Sequence, residues 1–257
     1  MIISTNAKAA TLTDEEYNRL RNVFSDTRIS LMSDEDAARY LSYDLEHTNK
    51  VSKYYRVTET TNGTITTEVS KEEATNAAKN TTTTRGVVHT TSYKNIQISA
   101  TKISTNNYLV DVTNDWLITP KVKSYDVIAM RTDDATISTG TQNGIQLYTN
   151  SSTTGNVRYS YNGTNMVLSS NGFGISMNLV DAATGFTCQI EAIVTATSQW
   201  AKVYGSYQHA MTAVTLAKSK SYTISHNGYG KVINFATAVQ NDYDNMQGVS
   251  IELGYTA

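Results

Sequence analysis

Apolar and polar residues alternate most clearly between Phe173 and Thr197. Apolar side chains take every second position, at Phe173, Ile175, Met177 and Leu179 and then at Phe186, Cys188, Ile190, Ala192, Val194 and Ala196. A period of two places one apolar row and one polar row on each strand, and the turn at 181–185 ends in a glycine. The pattern predicts an antiparallel hairpin with one buried face.

Similar alternation fills most of the chain after residue 85. Five Asn-Gly pairs, at 62–63, 143–144, 162–163, 171–172 and 227–228, are typical of tight turns between antiparallel strands. No helical pattern that could connect parallel strands follows Ala78. We therefore predict a mainly β fold: an antiparallel β-sandwich or barrel-like meander, with a small α-helical N-terminal segment.

The N-terminal fifth of the chain has a different period. Thr13-Asp14-Glu15-Glu16 has the residues of a capping box, and Ser33 precedes a second stretch with apolar residues at helical spacing. These signals predict two short helices between residues 14 and 46, joined by an apolar connector. A hairpin over 53–69 and a short helix over 70–78 are predicted next.

The threonine run at 80–84 predicts a solvated linker and a domain boundary. The predicted organisation is a flexible N-terminus over 1–12, a helical segment with a hairpin and a short helix over 13–84, and an antiparallel β domain over 85–257. Ala7 and Ala9 form the small-residue pattern that a signal peptidase reads. Residues 1–12 are thus either the remnant of a signal peptide or an ordinary flexible terminus.

Charge and composition narrow the function classes. The net charge is −2 and the sequence pI is about 6.1, with no block of Lys or Arg, so neither nucleic acid nor an anionic membrane surface is a favoured partner. One cysteine excludes an internal disulfide framework. No apolar run reaches the roughly 18–20 residues of a transmembrane helix, so no transmembrane segment is predicted.

Motifs for catalysis or cofactor binding are missing from the sequence. It contains no Gly-x-Ser-x-Gly elbow, phosphate loop or zinc-protease motif, and we predict no catalytic residue and no cofactor. The histidines at 47, 89, 209 and 226 are scattered, which favours surface or hydrogen-bonded roles over zinc ligation. Cys188 lies in an apolar row, which favours an inert buried thiol over a nucleophile.

Three groups of acidic residues are candidate sites. Asp242 and Asp244 could help to bind calcium, as could the Asp133-Asp134 pair, because hard cations prefer clustered oxygens. Neither matches a helix–loop–helix calcium site, so solvated turn carboxylates are the preferred interpretation. Asp111, Asp115 and Glu191 could in principle include a glycosidase carboxylate pair, although sequence gives no separation between them.

The tryptophans and the 17 tyrosines could form a platform for stacking sugars or a surface for a protein partner. They could equally fill a sandwich core. We predict a core position for Trp116, which lies near the end of a strand.

Four segments resemble a set of uncharacterised secreted proteins of Gram-positive bacteria. They are Thr13-Asp14-Glu15-Glu16-Tyr17-x-x-Leu20-x-x-Val23-Phe24-Ser25, Ser92-Tyr93-Lys94, Ser124-Tyr125-Asp126-Val127-Ile128 and Ser206-Tyr207-Gln208-His209-Ala210. The resemblance implies export and a single module that spans nearly the whole chain. It implies no active site.

The leading hypothesis is an exported, non-enzymatic protein of the cell surface or matrix. It would act by binding, adhesion or self-assembly through sheet surfaces and edge strands, with itself or a surface glycan or protein as partner. The first alternative is a secreted β-pore-forming toxin, because segments such as 56–69 and 90–104 show the residue-by-residue alternation that a membrane-spanning hairpin needs. The second is a secreted hydrolase with an unrecognised site.

Overall fold

Strands make up most of the regular structure in the computed structural model, which describes residues 10–45, 47–60, 63–80, 91–150, 153–225 and 230–257. The helices are α1 Asp14–Arg21, α2 Asp26–Ser30, α3 Asp34–Leu41, α4 Lys71–Asn80, α5 Leu216–Ser219 and α6 Thr237–Gln240. The strands are β1 Thr48–Thr60, β2 Gly63–Val69, β3 Thr91–Lys102, β4 Asn107–Ile118, β5 Tyr125–Asp133, β6 Ala135–Ile137, β7 Asn143–Thr149, β8 Thr154–Tyr159, β9 Met166–Ser169, β10 Gly172–Asn178, β11 Gly185–Ala196, β12 Lys202–Gln208, β13 Tyr222–Ile224, β14 Ile233–Phe235 and β15 Val249–Glu252.

The strands form two large antiparallel sheets. The first has the order β2-β1-β3-β4-β11-β7-β8, with the short β6 also paired to β11. The second has the order β15-β12-β5-β10-β9, and β13 and β14 form a small separate ribbon. The main hydrophobic core contains Ile96 and Ile190 of the first sheet together with Ile128 and Val203 of the second. This arrangement confirms the predicted mainly β, antiparallel sandwich.

The predicted central hairpin is wrong in its pairing, although its two strands and their apolar rows are correct. β10 pairs with β5 and β9 in the second sheet, whereas β11 pairs with β4, β6 and β7 in the first. The segment 179–184 therefore connects the two sheets. Alternation identifies the face of a strand that is buried, but it does not identify the neighbouring strand.

The N-terminal helices begin where the capping residues predict. The Glu16 backbone N–H donates to the Thr13 hydroxyl at 3.3 Å, and the Thr13 backbone N–H donates to the Glu16 carboxylate at 2.8 Å. A third helix, α2, lies in the predicted connector, where the Ser25 hydroxyl accepts from the Arg28 backbone N–H at 3.2 Å. The apolar residues of this stretch are typical of a connector, so α2 was not predicted.

Both sheets carry additional layers on their outer faces. The helical segment packs with Leu109 of β4 in a second hydrophobic cluster, which includes Leu20, Phe24 and Tyr40. A third cluster joins the outer face of β5 to residues from 210 to 243, and the fully buried Val127 belongs to it. Polar residues on the outer faces of these central strands are consequently also removed from water.

The predicted segments 13–84 and 85–257 share one sheet and one core. β1 pairs with β3 over eleven positions, from Thr48↔Thr101 to Thr58↔Thr91, and Tyr55 lies in the main core. The hairpin formed by β1 and β2 is confirmed by its register, which ends at Thr60↔Gly63. The predicted flexible terminus over 1–9 and the linker residues 81–84 lie outside the described residues.

Candidate functional site

Charged side chains occupy inward-facing positions at one end of the main core. Lys94 of β3 has the same parity as the buried Ile96 and Ile98, and Asp126 of β5 has the same parity as the buried Ile128. Both side chains are fully buried. Charged groups are rarely buried unless they are paired, so these two residues require partners within the core.

Asp126 is the most heavily hydrogen-bonded member of this interior cluster, which consists of Lys94, Trp116, Asp126, Tyr207, His209 and Asp244. Its carboxylate accepts from the Tyr207 hydroxyl, lies 3.0 Å from His209 Nδ1, and accepts from the Ala210 backbone N–H at 2.9 Å. The Tyr207 hydroxyl accepts in turn from Trp116 Nε1 at 3.0 Å. Burial, followed by the charge of Asp126, raises the pKa of Tyr207 well above its ordinary value, so the hydroxyl stays a donor.

Lys94 and Asp244 form the second half of the interior cluster. The Lys94 ammonium contacts Asp244 Oδ2, and neither side chain is exposed. Asp244 Oδ1 accepts from the His209 backbone N–H at 2.8 Å, which links this pair to Asp126. Lys94 Nζ also lies 5.2 Å from the centroid of the Trp116 ring and 5.1 Å from that of Tyr207. Aromatic faces at this distance stabilise a cation.

Cys188 borders the same cluster. Its Sγ lies 4.0 Å from the Tyr207 hydroxyl, and the side chain is fully buried. Burial is the largest influence on its pKa, which is raised well above the ordinary value, so the thiol stays protonated. This setting agrees with the interpretation of Cys188 as an inert thiol.

A second group of charges lies on the outer face of the first sheet. We call it the helix-covered cluster, and it consists of Arg28, Arg39, Tyr40, Asp111 and Glu191. Asp111 of β4 and Glu191 of β11 are direct cross-strand partners, and each is 2% exposed. Glu191 Oε1 accepts from Arg39 Nη2 at 3.0 Å, from the Tyr40 hydroxyl at 2.5 Å and from Asn143 Nδ2 at 3.1 Å.

Asp111 is held in a setting that disfavours its charge. Burial, followed by the neighbouring Glu191 carboxylate, raises the pKa of Asp111 to about 7, although hydrogen bonds from Thr113 and Gln189 oppose the change. Among the described residues, Glu191 Oε2 and the Nε and Nη1 of the buried Arg28 have no hydrogen-bond partner. Some buried polar atoms of the helix-covered cluster thus lack a hydrogen-bond partner among the described residues.

The candidate glycosidase carboxylates are only partly brought together. Asp111 and Glu191 are neighbours, whereas Asp115 accepts from the Thr187 hydroxyl at 2.6 Å, four residues further along β4. A crevice of about 160 Å³ beside this region is lined by three arginines, Arg28, Arg39 and Arg158, together with Asp36. Hydrolase activity at these carboxylates remains a prediction.

The candidate calcium ligands face different partners. Asp242 Oδ2 lies 2.7 Å from Lys218 Nζ, whereas Asp244 is buried against Lys94. Asp133 lies 2.9 Å from Arg131, and Asp134 adopts a φ of +50° in a tight turn. No group of three or more His, Cys, Asp or Glu residues suited to a metal ion occurs within the described part of the chain. Calcium binding by Asp242 and Asp244 remains a prediction.

The remaining candidates have contrasting surroundings. Trp116 is 6% exposed and belongs to the main core, as predicted, whereas Trp200 is 73% exposed. His47 Nδ1 lies 2.8 Å from Asp44 at the surface, and His209 is buried in the interior cluster. His89 and His226 lie outside the described residues.

A cavity of about 570 Å³ adjoins the interior cluster. It is lined mostly by polar residues, and its lining includes Asp244, Gln208, Asn234 and Gln240. Phe235 and Tyr243 also line the cavity, with their rings stacked at 3.9 Å between centroids. A polar cavity beside an aromatic pair could take a small hydrophilic ligand.

No motif in the sequence identifies the interior cluster as a site. Three of the segments quoted for the resemblance contain Lys94, Asp126, Tyr207 and His209, but the resemblance implied no chemistry for them. The usable signal was parity, because Lys94 and Asp126 lie on the same face as, and two residues before, Ile96 and Ile128, where buried apolar rows begin. Asp244 lies outside any strand, so parity could not have associated it with Lys94.

Comparisons with known proteins give distant likenesses. No family model and no curated protein matches the chain. The pilus backbone protein of Streptococcus pneumoniae is 11% identical, with a TM-score of 0.28 over 41% of this chain and 25% of that chain. The enzymatically active domain of tailspike protein 4 of bacteriophage CBA120 is 10% identical, with a TM-score of 0.24 over 48% and 16%. IDO from Bacillus thuringiensis is 10% identical, with a TM-score of 0.18 over 79% and 99%. At these scores the likenesses establish no relationship.

In the described residues, every helix is too short or too polar to cross a lipid bilayer.

Proposed function

We propose that this protein is exported and acts at the cell surface or in the matrix by adhesion or self-assembly through the open edges of its sheets. The observation that carries the proposal is that, among the described strands, the first sheet ends at β2. β2 pairs with β1 on one side only, and its Ile65 side chain is 59% exposed. An edge strand offers unpaired backbone N–H and C=O groups to a further strand.

Apolar exposure at other edges supports the same proposal. Val51 is 37% exposed on the part of β1 that extends beyond its pairing with β2, and Leu168 is 42% exposed on β9, the edge of the second sheet. Soluble proteins commonly protect such edges with charged side chains, and Lys53 and Glu68 lie 3.0 Å apart across β1 and β2. These charges favour ordered pairing with a matching strand over unspecific aggregation.

The partner we propose for the edge at β2 is a second copy of this chain. A size measurement across protein concentrations, with electron microscopy for filaments, tests this. We expect concentration-dependent association that Ile65→Lys reduces at least tenfold and that Trp200→Lys leaves unchanged, because Trp200 is exposed outside the strands. A strictly monomeric protein that also binds neither cells nor glycans would contradict the proposal.

Glycan adhesion is a second candidate, favoured by the polar cavity with the Phe235–Tyr243 stack. Sugar rings commonly stack on aromatic side chains while amides bond their hydroxyls. Binding to a glycan array should be lost on Asn234→Ala and retained on Asn156→Ala, a matched change on β8. Equal binding by both variants would contradict a glycan site in this cavity.

A further inference from the structure

The Lys94–Asp244 pair is an unusual way to bury an ammonium group. Lys94 lies on β3 and Asp244 follows α6, and 150 residues separate them in the sequence. Transferring two charges from water into a core is costly, and their mutual attraction offsets the cost only when further hydrogen bonds satisfy both groups. The hydrogen bonds at each end therefore decide which chemical state suits this position.

The nitrogen of Lys94 has fewer acceptors than an ammonium needs. An ammonium has three N–H donors, and within the described structure Asp244 Oδ2 is the hydrogen-bond acceptor for Lys94 Nζ. The other near neighbours are the ring faces of Trp116 and Tyr207. A neutral secondary amide carries no charge and a single N–H, which a ring face can accept once Oδ2 has left, so this environment also suits an amide nitrogen.

The carboxyl group of Asp244 is arranged for acyl transfer. Its Oδ1 already accepts from the His209 backbone N–H at 2.8 Å, while Oδ2 faces Lys94. An N–H fixed on Oδ1 stabilises the negative charge that develops there when a nucleophile attacks Cγ. Asp126 holds this N–H in place, because its carboxylate lies 3.0 Å from the His209 ring and accepts from the next backbone N–H, that of Ala210. His209 and Asp126 therefore act as positioning residues.

We propose that Lys94 and Asp244 condense to form an intramolecular isopeptide bond. In the neutral pair, the Lys94 Nζ lone pair attacks Cγ of protonated Asp244, and the Nζ–Cγ bond forms as the Cγ–Oδ2 bond breaks. Oδ2 leaves as water with its own proton and one from the amine, so no oxidant or other reactant is needed. The cavity beside Asp244 gives the released water a path to solvent. Fixed geometry and exclusion of water favour this step over the same reaction between free groups.

The bond would join β3 of the first sheet covalently to the segment between α6 and β15. The inference does not depend on the proposed adhesion, since a monomer that binds nothing could still carry the bond. The chain also contains a matched control pair. Lys218 and Asp242 lie 2.7 Å apart, but their side chains are 43% and 21% exposed, so water competes for both groups.

Intact mass spectrometry of the denatured full chain, with the N-terminus assigned in the same run, tests the proposal. We expect the wild-type protein to be lighter than its sequence by one water molecule, and a protease digest to contain the Lys94 peptide linked to the Asp244 peptide. Lys94→Met and Asp244→Ala should have their full sequence masses. Lys218→Met should keep the loss of water.

Asp244→Asn sharpens the test, because condensation with an amide releases ammonia in place of water. The proposal is overturned if the wild-type chain has its full sequence mass, or if Lys94→Met is still one water short. It is also overturned if the linked peptides map to another pair of residues. If Lys94→Met does not fold, Lys94→Arg retains the charge and removes the nucleophile, and its mass gives the same answer.

Discussion

The interior cluster and the helix-covered cluster bury acidic groups in different ways. In the interior cluster, each carboxylate has its own set of donors: Tyr207, His209 and the Ala210 N–H for Asp126, and Lys94 with the His209 N–H for Asp244. In the helix-covered cluster, Asp111 and Glu191 lie side by side, and one Glu191 oxygen has no partner among the described residues. In the first arrangement each carboxyl group has donors of its own, whereas the second stabilises a protonated acid.

The largest expected effect comes from removing the acceptor at the centre of the interior cluster. Asp126→Ala leaves several buried donors without a partner, and we expect the free energy of unfolding to fall by about 3–5 kcal/mol. Urea denaturation measures it. Asp242→Ala, which breaks a partly exposed ion pair, should cost about 0–1 kcal/mol. Similar losses in the two variants would show that the interior cluster is not specially stabilising.

The helix-covered cluster should instead be detected by its pH dependence. The pKa of folded Asp111 is raised to about 7 from an ordinary value of 3.8, so between these pH values the folded chain holds a proton that the unfolded chain releases. The contribution of Asp111 to stability is therefore present below about pH 4 and is lost as the pH rises to about 7. The loss should be a few kcal/mol.

Asp111→Asn isolates this contribution, because its side chain does not titrate. Urea unfolding at pH 5 and pH 8 should show that the variant is favoured over the wild type more strongly at pH 8 than at pH 5. In Glu191→Gln the free energy of unfolding should fall less between pH 5 and pH 8 than in the wild type, since the Glu191 charge helps to raise the pKa of Asp111. A difference between wild type and Asp111→Asn that is the same at both pH values would contradict a raised pKa.

Matched tyrosine substitutions compare the two clusters directly. Tyr207→Phe leaves Trp116 Nε1 buried without its acceptor. Tyr40→Phe removes one donor from Glu191 Oε1, which keeps Arg39 and Asn143 as donors. We expect thermal or urea unfolding to show a loss of about 2–3 kcal/mol for Tyr207→Phe and about 1–2 kcal/mol for Tyr40→Phe. A larger loss for Tyr40→Phe would mean that the tyrosine hydrogen bonds of the helix-covered cluster contribute more to stability than those of the interior cluster.

The smallest effect is expected at the rim of the helix-covered cluster. Arg158 of β8 lies 2.7 Å from Asp36 of α3, but the Arg158 side chain is 38% exposed. Arg158→Ala should therefore lower the free energy of unfolding by about 0–1 kcal/mol. A loss above about 2 kcal/mol would show that this ion pair fixes the helical segment on the sheet.

Local signals allowed much of the fold to be predicted, and long-range contacts account for the rest. The capping residues Thr13 and Ser33 and the parity of Phe173 or Ile190 depend on neighbouring residues, so the sequence reveals them. The choice of β4 and β7 as partners of β11 depends on contacts between residues far apart in the chain, which no local pattern encodes. The same limit hid the interior cluster, since Lys94 and Asp244 come together only in the folded chain.

The order of the first sheet also constrains how the chain can assemble. β11 lies between β4 and β7 in the sheet but follows both in the chain. The middle of the sheet therefore cannot form until β11 has been synthesised. A chain that folds during synthesis, N-terminus first, would keep the gap between β4 and β7 until residue 196 had appeared. The middle of the sheet can therefore form only after about three quarters of the chain has been made.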